Sequence, residues 1–433
     1  MRALVLGLGV AGASAARRMA ERGWDVTVVE DRPSDASRAR GEGLRVVEAP
    51  ASHHDLVDAC EVLVPSPGVP IGHPAIQRAL ARGTTVWTEF ELAARWSDVP
   101  MVAITGTNGK TTVTTLVDEM LRASGLRSTA AGNTDVPLVD AIADDLDVVV
   151  VEASSFRLEF TETFRPQVSV WLNLAEDHLD WHPSMEAYAA AKARVWANQG
   201  DGDVAVANVD DPVVMAHLPA GPRVETFGLD HGDWHVAGGR LLGPGGREVA
   251  RVDELWRSLP HDLTNALAAS AAALAIGADE EGVRMALRSF RGLPHRLALV
   301  GDDGSVRFYD DSKATDPHAA AAALRAFESS VLIAGGRNKG LDLSLLADEA
   351  ERVRAVVAIG EAAPAIAAAF AGRAQVVTAG SMDEAVALAR SLAEPGDAVL
   401  LSPGCASFDW YANYGARGDD FARAVRELLD APA

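Results

Sequence analysis

Of the 39 Lys and Arg side chains in this chain, only four are lysines: Lys110, Lys192, Lys313 and Lys339. Wherever a generic positive charge would serve, the sequence uses arginine, so these four are candidates for chemistry that a guanidinium cannot do. A lysine ammonium is compact enough to reach one phosphate oxygen and can lose its proton when desolvated, whereas arginine is a planar fork that stays charged. Each of the four lies in a segment with other reactive or binding groups.

Lys110 stands in Thr105-Gly106-Thr107-Asn108-Gly109-Lys110-Thr111-Thr112, between the apolar run Val102–Ile104 and an amphipathic stretch reaching Ala123. In that setting the backbone N–H groups of the loop and a helix N-terminus cradle phosphates, Lys110 reaches the terminal phosphates and the Thr111 hydroxyl ligates Mg²⁺. The run departs from the full Walker A pattern at its first glycine. Glu152 ends the apolar run Val149-Val150-Val151, where an open α/β sheet presents a metal-binding carboxylate. His178 and His182 lie four apart among carboxylates, but Leu179 stands where a zinc-protease helix needs Glu, so that reading is set aside. Lys192 follows three alanines; beside Mg²⁺, a desolvated lysine can accept CO₂ and become an anionic carbamate, which arginine cannot. At the N-terminus, Gly7-x-Gly9-x-x-Gly12 precedes Glu30 and Asp31 at the end of a second strand. That fingerprint suits any diphosphate at a strand-to-helix turn, NAD and UDP-linked ligands alike.

These groups need strand ends and helix N-termini to hold them. Three blocks of alternating strand and helix can be separated, 1–97, 98–293 and 294–433. The first holds the strands Leu4–Leu6, Asp25–Val29 and Val62–Val64, and a polar break, Ser97-Asp98-Val99-Pro100, closes it. The second holds the strands Met101–Ile104, Asp147–Val151, Val168–Asn173 and Asp203–Asn208; Gly238–Gly246 reads as turns, and Leu263–Ala275 as a buried helix. Gly292-Leu293-Pro294 reads as a linker to the third block, with strands Val331–Ala334, Ala355–Ile359, Gln375–Thr378 and Ala398–Leu401. Such alternation predicts parallel sheets covered on both faces. The expected fold is α/β in three domains: a Rossmann-like N-terminal domain, a central P-loop ATPase-like domain with a mainly parallel sheet, and a Rossmann-like C-terminal domain.

Bulk properties narrow the function. A formal net charge of −22 over 433 residues argues against nucleic-acid and anionic-membrane partners. Cys60 and Cys405 are the only cysteines and have no metal-ligand spacing, which fits a reducing cytoplasm. The small and apolar residues after Met1-Arg2 could be taken for a signal peptide, but the glycine fingerprint within them and the strand after them favour an ordinary βαβ start. No apolar run is long enough for a transmembrane helix.

Together these segments resemble the Mur ligases, the ATP-dependent enzymes that build the peptide of bacterial peptidoglycan, over essentially the whole chain. The resemblance implies ATP and two Mg²⁺ ions as cofactors. It assigns Gly106, Thr107, Asn108, Gly109, Lys110, Thr111, Thr112, Asn265, Arg296, Asp311 and Lys313 to ATP. Thr111, Glu152, His178 and a carbamylated Lys192 are implied as metal ligands, with Lys110 completing the catalytic set. Gly9, Val10, Ala11, Asp31, Arg32, Ser66, Gly68, Asn133 and His178 are implied to hold a UDP-linked substrate, the uracil register among Glu30, Asp31 and Arg32 staying open. Asp310-Asp311-Ser312-Lys313-Ala314-Thr315 looks like the mark of the branch that adds D-glutamate to UDP-N-acetylmuramoyl-L-alanine. There Thr315, Lys339, Ser407, Phe408 and Tyr414 would hold the D-glutamate. Asp316, Tyr414 and Gly404 depart from the pattern, which touches the fine geometry of the amino-acid site. The implied protein is a cytoplasmic monomer. An NAD-dependent oxidoreductase is the rival from another class, and it leaves the Gly106–Thr112 loop and the Glu152, His178 and Lys192 set unexplained.

Overall fold

The apolar run Ala3, Leu4, Val5 and Leu6 is fully buried, and its strand Arg2–Leu6 is the centre of a five-stranded parallel sheet. The computed structural model describes residues 1–179, 181–338 and 340–430, so the Lys339 assignment lies outside the described residues. The chain divides into two units, Met1–Phe290 and Arg291–Ala433.

In the first unit, one sheet runs Arg45–Glu48, Asp25–Glu30, Arg2–Leu6, Val62–Pro65, Thr85–Val86 in space, all parallel. Strand order reverses between Arg2–Leu6 and Val62–Pro65, and such a reversal opens a ligand crevice at the carboxyl ends of the strands. A second parallel sheet runs Arg223–Phe227, Val204–Asn208, Val168–Trp171, Met101–Thr105, Val148–Glu152, Ser128–Gly132. Its order reverses at Met101–Thr105, flanked by the strands that end in Glu152 and Trp171. One apolar core, from Val5 and Met19 through Phe90 to Ala103, Val149 and Trp171, runs through both sheets. Ser97–Pro100 lies between the two sheets of this unit.

The glycine-rich stretch differs from expectation. Besides turns it holds a strand, and His235–Ala237, Arg240–Gly243 and Arg247–Arg251 form an antiparallel three-stranded sheet in which Leu241, Val249 and Ala250 are buried. The glycine pairs Gly238-Gly239 and Gly245-Gly246 have positive φ and turn the chain between short strands, the conformation tight hairpins need. Helix Pro260–Ile276 packs against this sheet, the large sheet and helix Lys110–Ala123, so Ala266 to Ala273 are buried all round.

The second unit has a six-stranded sheet in the order Ala298–Asp302, Arg307–Asp310, Ala398–Leu401, Ser330–Gly335, Val353–Ile359, Gln375–Ala379. Its first pair is antiparallel and the rest parallel. The exception is a hairpin: Gly304 has φ 85°, and the Asp303 carboxylate accepts from the N–H groups of Ser305 and Val306. The unit begins at Arg291, just ahead of the expected Gly292–Pro294 linker.

Candidate active site

The loop after Met101–Thr105 is shaped by two glycines. Gly106 has φ 151° and Gly109 φ 85°, values that glycine adopts without strain. A Cβ on Gly109 would lie 2.7 Å from Asn265 Oδ1, which fixes the residue type and places the Asn265 amide against the loop. Helix Lys110–Ala123 begins there, anchored by buried Val113, Leu116, Val117, Met120 and Leu121, with Thr111 and Thr112 in its half-buried first turn. Asn173 holds the loop from the next strand end. Its Oδ1 accepts from Thr107 N at 3.1 Å and Asn108 N at 2.9 Å, and its Nδ2 donates to Asn108 O at 3.2 Å. Two of the loop amides expected to face phosphate are thus engaged by Asn173, a residue given no role from sequence; its one signal is a polar amide directly after a buried strand.

Lys110 and Lys192 meet at this loop. Lys110 Nζ donates to the carbonyls of Gly106 and Thr107, both at 2.8 Å. Lys192 is buried, donates to Gly106 O at 2.7 Å and lies 4.4 Å above the Tyr188 ring. Burial, and secondarily the Lys110 ammonium, push the Lys192 pKa well below the ordinary lysine value, against an opposing pull from Asp177. Tyr188 also links the parts: its hydroxyl is 3.3 Å from Thr107 Oγ1, and its ring is 6.1 Å from that of His178. Its position one turn before Lys192 is the only trace of this in the sequence.

Glu152 is buried at the end of its strand, where Asn133 donates Nδ2–H to Oε1 at 2.9 Å. The Asn133 backbone N–H bonds Glu152 O at 2.9 Å. Glu152 Oε2 is buried without a hydrogen-bond partner. Leaving a buried carboxylate oxygen unpaired is costly unless a cation takes it, so the residue fits a Mg²⁺ ligand. His178 is in a left-handed turn, φ 55°, with its N–H on Asp177 Oδ1 at 2.8 Å and its ring edge-on to Phe156 at 4.8 Å. His182 is buried with Nε2 2.9 Å from Ser155 Oγ, and its backbone N–H closes the turn on His178 O at 2.9 Å.

In the first sheet, Ser66 spans the crevice by donating Oγ–H to Gly7 O at 2.8 Å. A Cβ on Gly12 would fall 2.0 Å from Ser66 Oγ, so the helix can approach only as glycine. At the start of that helix Gly9 is open, Val10 exposed and Ala11 buried; a Cβ on Gly68 would meet nothing within 4 Å. The acidic pair separates: Glu30 accepts from Leu8 N at 2.8 Å and Arg32 N at 3.0 Å. Glu30 is therefore consumed by the turn, while Asp31 and Arg32 are exposed at the crevice mouth. Trp181 Nε1 donates to Val69 O at 3.0 Å, tying the His178 segment to the Ser66–Gly68 loop.

In the second unit, the adjacent strands Arg307–Asp310 and Ala398–Leu401 run into the segments that carry Asp311, Lys313 and Thr315 and that carry Ser407 and Phe408. Asp311 is buried, accepting from Ser402 Oγ at 2.8 Å and Leu297 N at 3.2 Å. Burial raises its pKa to about 7, against these bonds and the nearby Arg296 charge. Lys313 Nζ lies 3.9 Å over the Tyr414 ring. Ser407 is buried, Thr315 half-buried, and Phe408 and Tyr414 are exposed. Asp316 caps helix Pro317–Leu324 by accepting from Ala319 N at 2.8 Å, a job its carboxylate shares with the expected Asn. Arg417, overlooked in the sequence, is the buried hub: it donates to Ser312 Oγ and Ser312 O at 2.9 Å and twice to Cys405 O at 3.1 Å. Ser312 Oγ–H in turn donates to Tyr414 O at 2.8 Å.

A glycine-shaped phosphate loop, a buried lysine bonded to that loop and an unpaired strand-end carboxylate, carried on α/β sheets, define a nucleotide-dependent ligase site. The chain belongs to the Mur ligase family, matching the MurD-like N-terminal domain over residues 1–88, the Mur ligase middle domain over 104–273 and the Mur ligase glutamate ligase domain over 295–405. Among its relatives, the UDP-N-acetylmuramoylalanine–D-glutamate ligase of Frankia casuarinae is 44% identical, the match covering 98% of this chain and 93% of that one. The protein of the same name from Desulfosudis oleivorans is 42% identical, over 99% and 96% of the two chains. Solved structures share the three-domain α/β fold. A pseudomurein peptide ligase type C from Methanothermus fervidus matches with TM-score 0.62 at 17% identity, over 99% of this chain and 100% of that one. The MurF ligase of Thermotoga maritima, solved with ADP, matches with TM-score 0.61 at 16% identity, over 94% and 95%.

Proposed function

We propose that the chain is an ATP-dependent ligase that joins D-glutamate to UDP-N-acetylmuramoyl-L-alanine, in the cytoplasmic synthesis of peptidoglycan precursors. The L-alanyl carboxylate attacks the γ-phosphoryl group of ATP, giving an acyl phosphate and ADP. The neutral amine of D-glutamate then attacks the acyl carbon; the tetrahedral oxyanion collapses, phosphate leaves with the C–O bond electrons, and the amine proton passes to solvent. Most of the acceleration in such a reaction is positioning and electrostatics.

The observation that carries this reading is the meeting of Lys110 and Lys192 on Gly106 O, beside a strand that ends in an unpaired buried carboxylate. Lys110 and the loop hold the terminal phosphates. Thr111, Glu152, His178 and a carbamylated Lys192 would hold two Mg²⁺ ions, which when bound offset the charge of the ATP phosphates. Asn133 keeps Glu152 oriented. Residues 1–97 take the UDP moiety, 98–293 ATP, and 294–433 D-glutamate through Thr315, Ser407, Phe408 and Tyr414. Both close relatives carry that activity in their names, and no helix among the described residues is long and apolar enough to cross a membrane. The working form is a monomer.

The test is ATP-dependent phosphate release with UDP-N-acetylmuramoyl-L-alanine and, in turn, D-glutamate, L-glutamate, L-lysine and diaminopimelate. Turnover with D-glutamate alone is expected. Turnover with only L-glutamate or a diamine would overturn the assignment.

A further inference from the structure

Outside the phosphate site, one group of titratable side chains converges from three separate segments. Asp31 follows strand Asp25–Glu30, His53 precedes helix His54–Ala59 and His73 precedes helix Pro74–Arg82. His53 Nε2 is 2.8 Å from Asp31 Oδ1, and His73 Nε2 is 2.8 Å from Asp31 Oδ2. The two imidazoles meet edge to face at 4.8 Å. Their side chains are 15% and 14% exposed, while that of Asp31 is 39% exposed. The histidines thus form a wall and the carboxylate looks out of it.

We propose that His53 and His73 are positioning residues that fix the Asp31 carboxylate to accept the imide N–H of a uracil base, and so set the base preference of the first unit. The inference rests on the reading that this unit takes a uridine diphosphate.

Three observations carry it. First, Glu30 is spent on Leu8 N and Arg32 N, so of the two adjacent acids only Asp31 faces the crevice mouth. Second, each carboxylate oxygen accepts up to two hydrogen bonds; the histidines take one on each and leave one on each for a ligand. A half-exposed carboxylate left alone would lose rotamer freedom on binding, and two donors from separate segments remove that cost beforehand. Burial works against ionisation of Asp31, and the histidine bonds outweigh it, holding its carboxyl below the usual range. Third, the tautomer of His73 is fixed. Its Nδ1 accepts from Ala75 N at 3.2 Å at the start of helix Pro74–Arg82, so the ring proton is on Nε2 and points at Asp31. This also decides against the other reading of the group. The three donor atoms lie within 4.8 Å of one another, as a metal site would require. A metal on His73 Nε2 would shift the proton to Nδ1, against the Ala75 N–H. Hydrogen bonding keeps both contacts, whereas metal ligation breaks one. A carboxylate aimed this way favours uracil, whose N3 carries a proton, and repels cytosine, whose N3 is a lone pair.

The experiment uses the full chain with UDP and CDP as competitive inhibitors, alongside KM for each substrate. His53→Leu should raise KM for the UDP-linked substrate and weaken UDP inhibition about tenfold, with kcat and the KM values for ATP and D-glutamate within about twofold. CDP inhibition should hardly change, so base discrimination falls. His53→Gln, which restores an N–H donor, should recover most of the loss. His73→Asn keeps an acceptor for Ala75 N but is too short to reach Asp31, and should behave like His53→Leu. Asp31→Asn separates the two levels. If it weakens UDP binding while both histidine variants leave it within twofold, the positioning role is overturned and the base contact stands. If Asp31→Asn itself changes nothing, the base contact falls and the proposal with it. Stoichiometric Zn²⁺ binding to EDTA-treated protein, lost in His53→Leu, would overturn it in favour of a metal site.

Discussion

Lys110 and Lys192 donate to a single acceptor, the carbonyl oxygen of Gly106, at 2.8 and 2.7 Å. Lys110 is half-buried at the N-terminus of its helix and also bonds Thr107 O at 2.8 Å. Lys192 is enclosed, with Tyr188 beneath it. Of the two ammonium groups drawn to one oxygen, the enclosed one has its pKa pushed down by burial. Burial favours the neutral amine, the form that reacts with CO₂, which is why the proposed carbamate falls on Lys192 and not on Lys110.

That relationship separates the two lysines experimentally. Lys192→Ala should lose most activity and regain part of it when small carboxylates are added in place of the carbamate. Lys192→Arg should not regain any, and full turnover in that variant would exclude the carbamate. Lys110→Arg keeps its charge but cannot place one compact ammonium on a phosphate oxygen, and should lose roughly 100-fold or more in kcat. Phosphate release under saturating ATP measures all three.

Asn133 acts on the candidate metal site through Glu152. It donates to Oε1 at 2.9 Å and leaves Oε2 unpaired. Removing such a supporting bond typically weakens metal affinity ~10–100-fold. Asn133→Ala should therefore raise the Mg²⁺ concentration needed for half-maximal phosphate release by about that factor, with activity largely restored at high Mg²⁺. Glu152→Gln should not be restored at any Mg²⁺ concentration. Equal Mg²⁺ requirements in wild type and Asn133→Ala would show that Asn133 does not support a metal ligand.

What the sequence made legible was local. Apolar β-branched runs such as Val148–Val151 mark buried strands, and the carboxylate that ends that one, Glu152, follows from the sheet's geometry. Contacts made across the fold left no such trace. Arg417 bonds Ser312 across 105 positions, and on its own helix it reads as one more surface arginine. Asn173 and Tyr188 take their meaning from a loop that starts more than sixty positions earlier. Glu30 and Asp31 are adjacent and chemically alike, and only the turn that consumes Glu30 tells them apart. Arg240–Gly243 reads as part of a glycine turn because a strand this short carries too little alternation to be recognised.

Asp311 makes the stability of the second unit depend on pH. Its carboxyl is raised to about 7 by burial, while in the unfolded chain it titrates near ~3.9. Between those values the folded form holds a proton that the unfolded form has lost, so stability falls as pH rises from about 4 to 7 and levels off above. A shift of that size corresponds to on the order of 4 kcal/mol. Asp311→Asn can still accept from Leu297 N and donate to Ser402 Oγ, without the ionisation. Denaturant midpoints of the variant and wild type should therefore be close at about pH 4 and diverge in the variant's favour by about pH 8. A constant difference across that range would place the Asp311 proton elsewhere.

Arg417 should govern the amino-acid site without touching the amino acid. Its guanidinium joins Ser312, beside Lys313 and Thr315, to Cys405, beside Ser407, and through Ser312 Oγ to the Tyr414 carbonyl. Burial lowers its pKa only to about 10, so it is charged at neutral pH and serves as a fixed five-donor template. Arg417→Ala leaves several buried acceptors without a donor, at ~1–3 kcal/mol each, and should cost the second unit roughly 3 kcal/mol or more. Arg417→Lys is the informative variant. It keeps the charge and fills most of the volume, but three donors on one nitrogen cannot span Ser312 and Cys405 together. Its thermal unfolding should lie between wild type and Arg417→Ala. Its KM for D-glutamate should rise at least about tenfold, with KM for the UDP-linked substrate nearly unchanged. A parallel rise in both KM values would mean that Arg417 supports the unit as a whole and not the segments around Thr315, Ser407 and Tyr414.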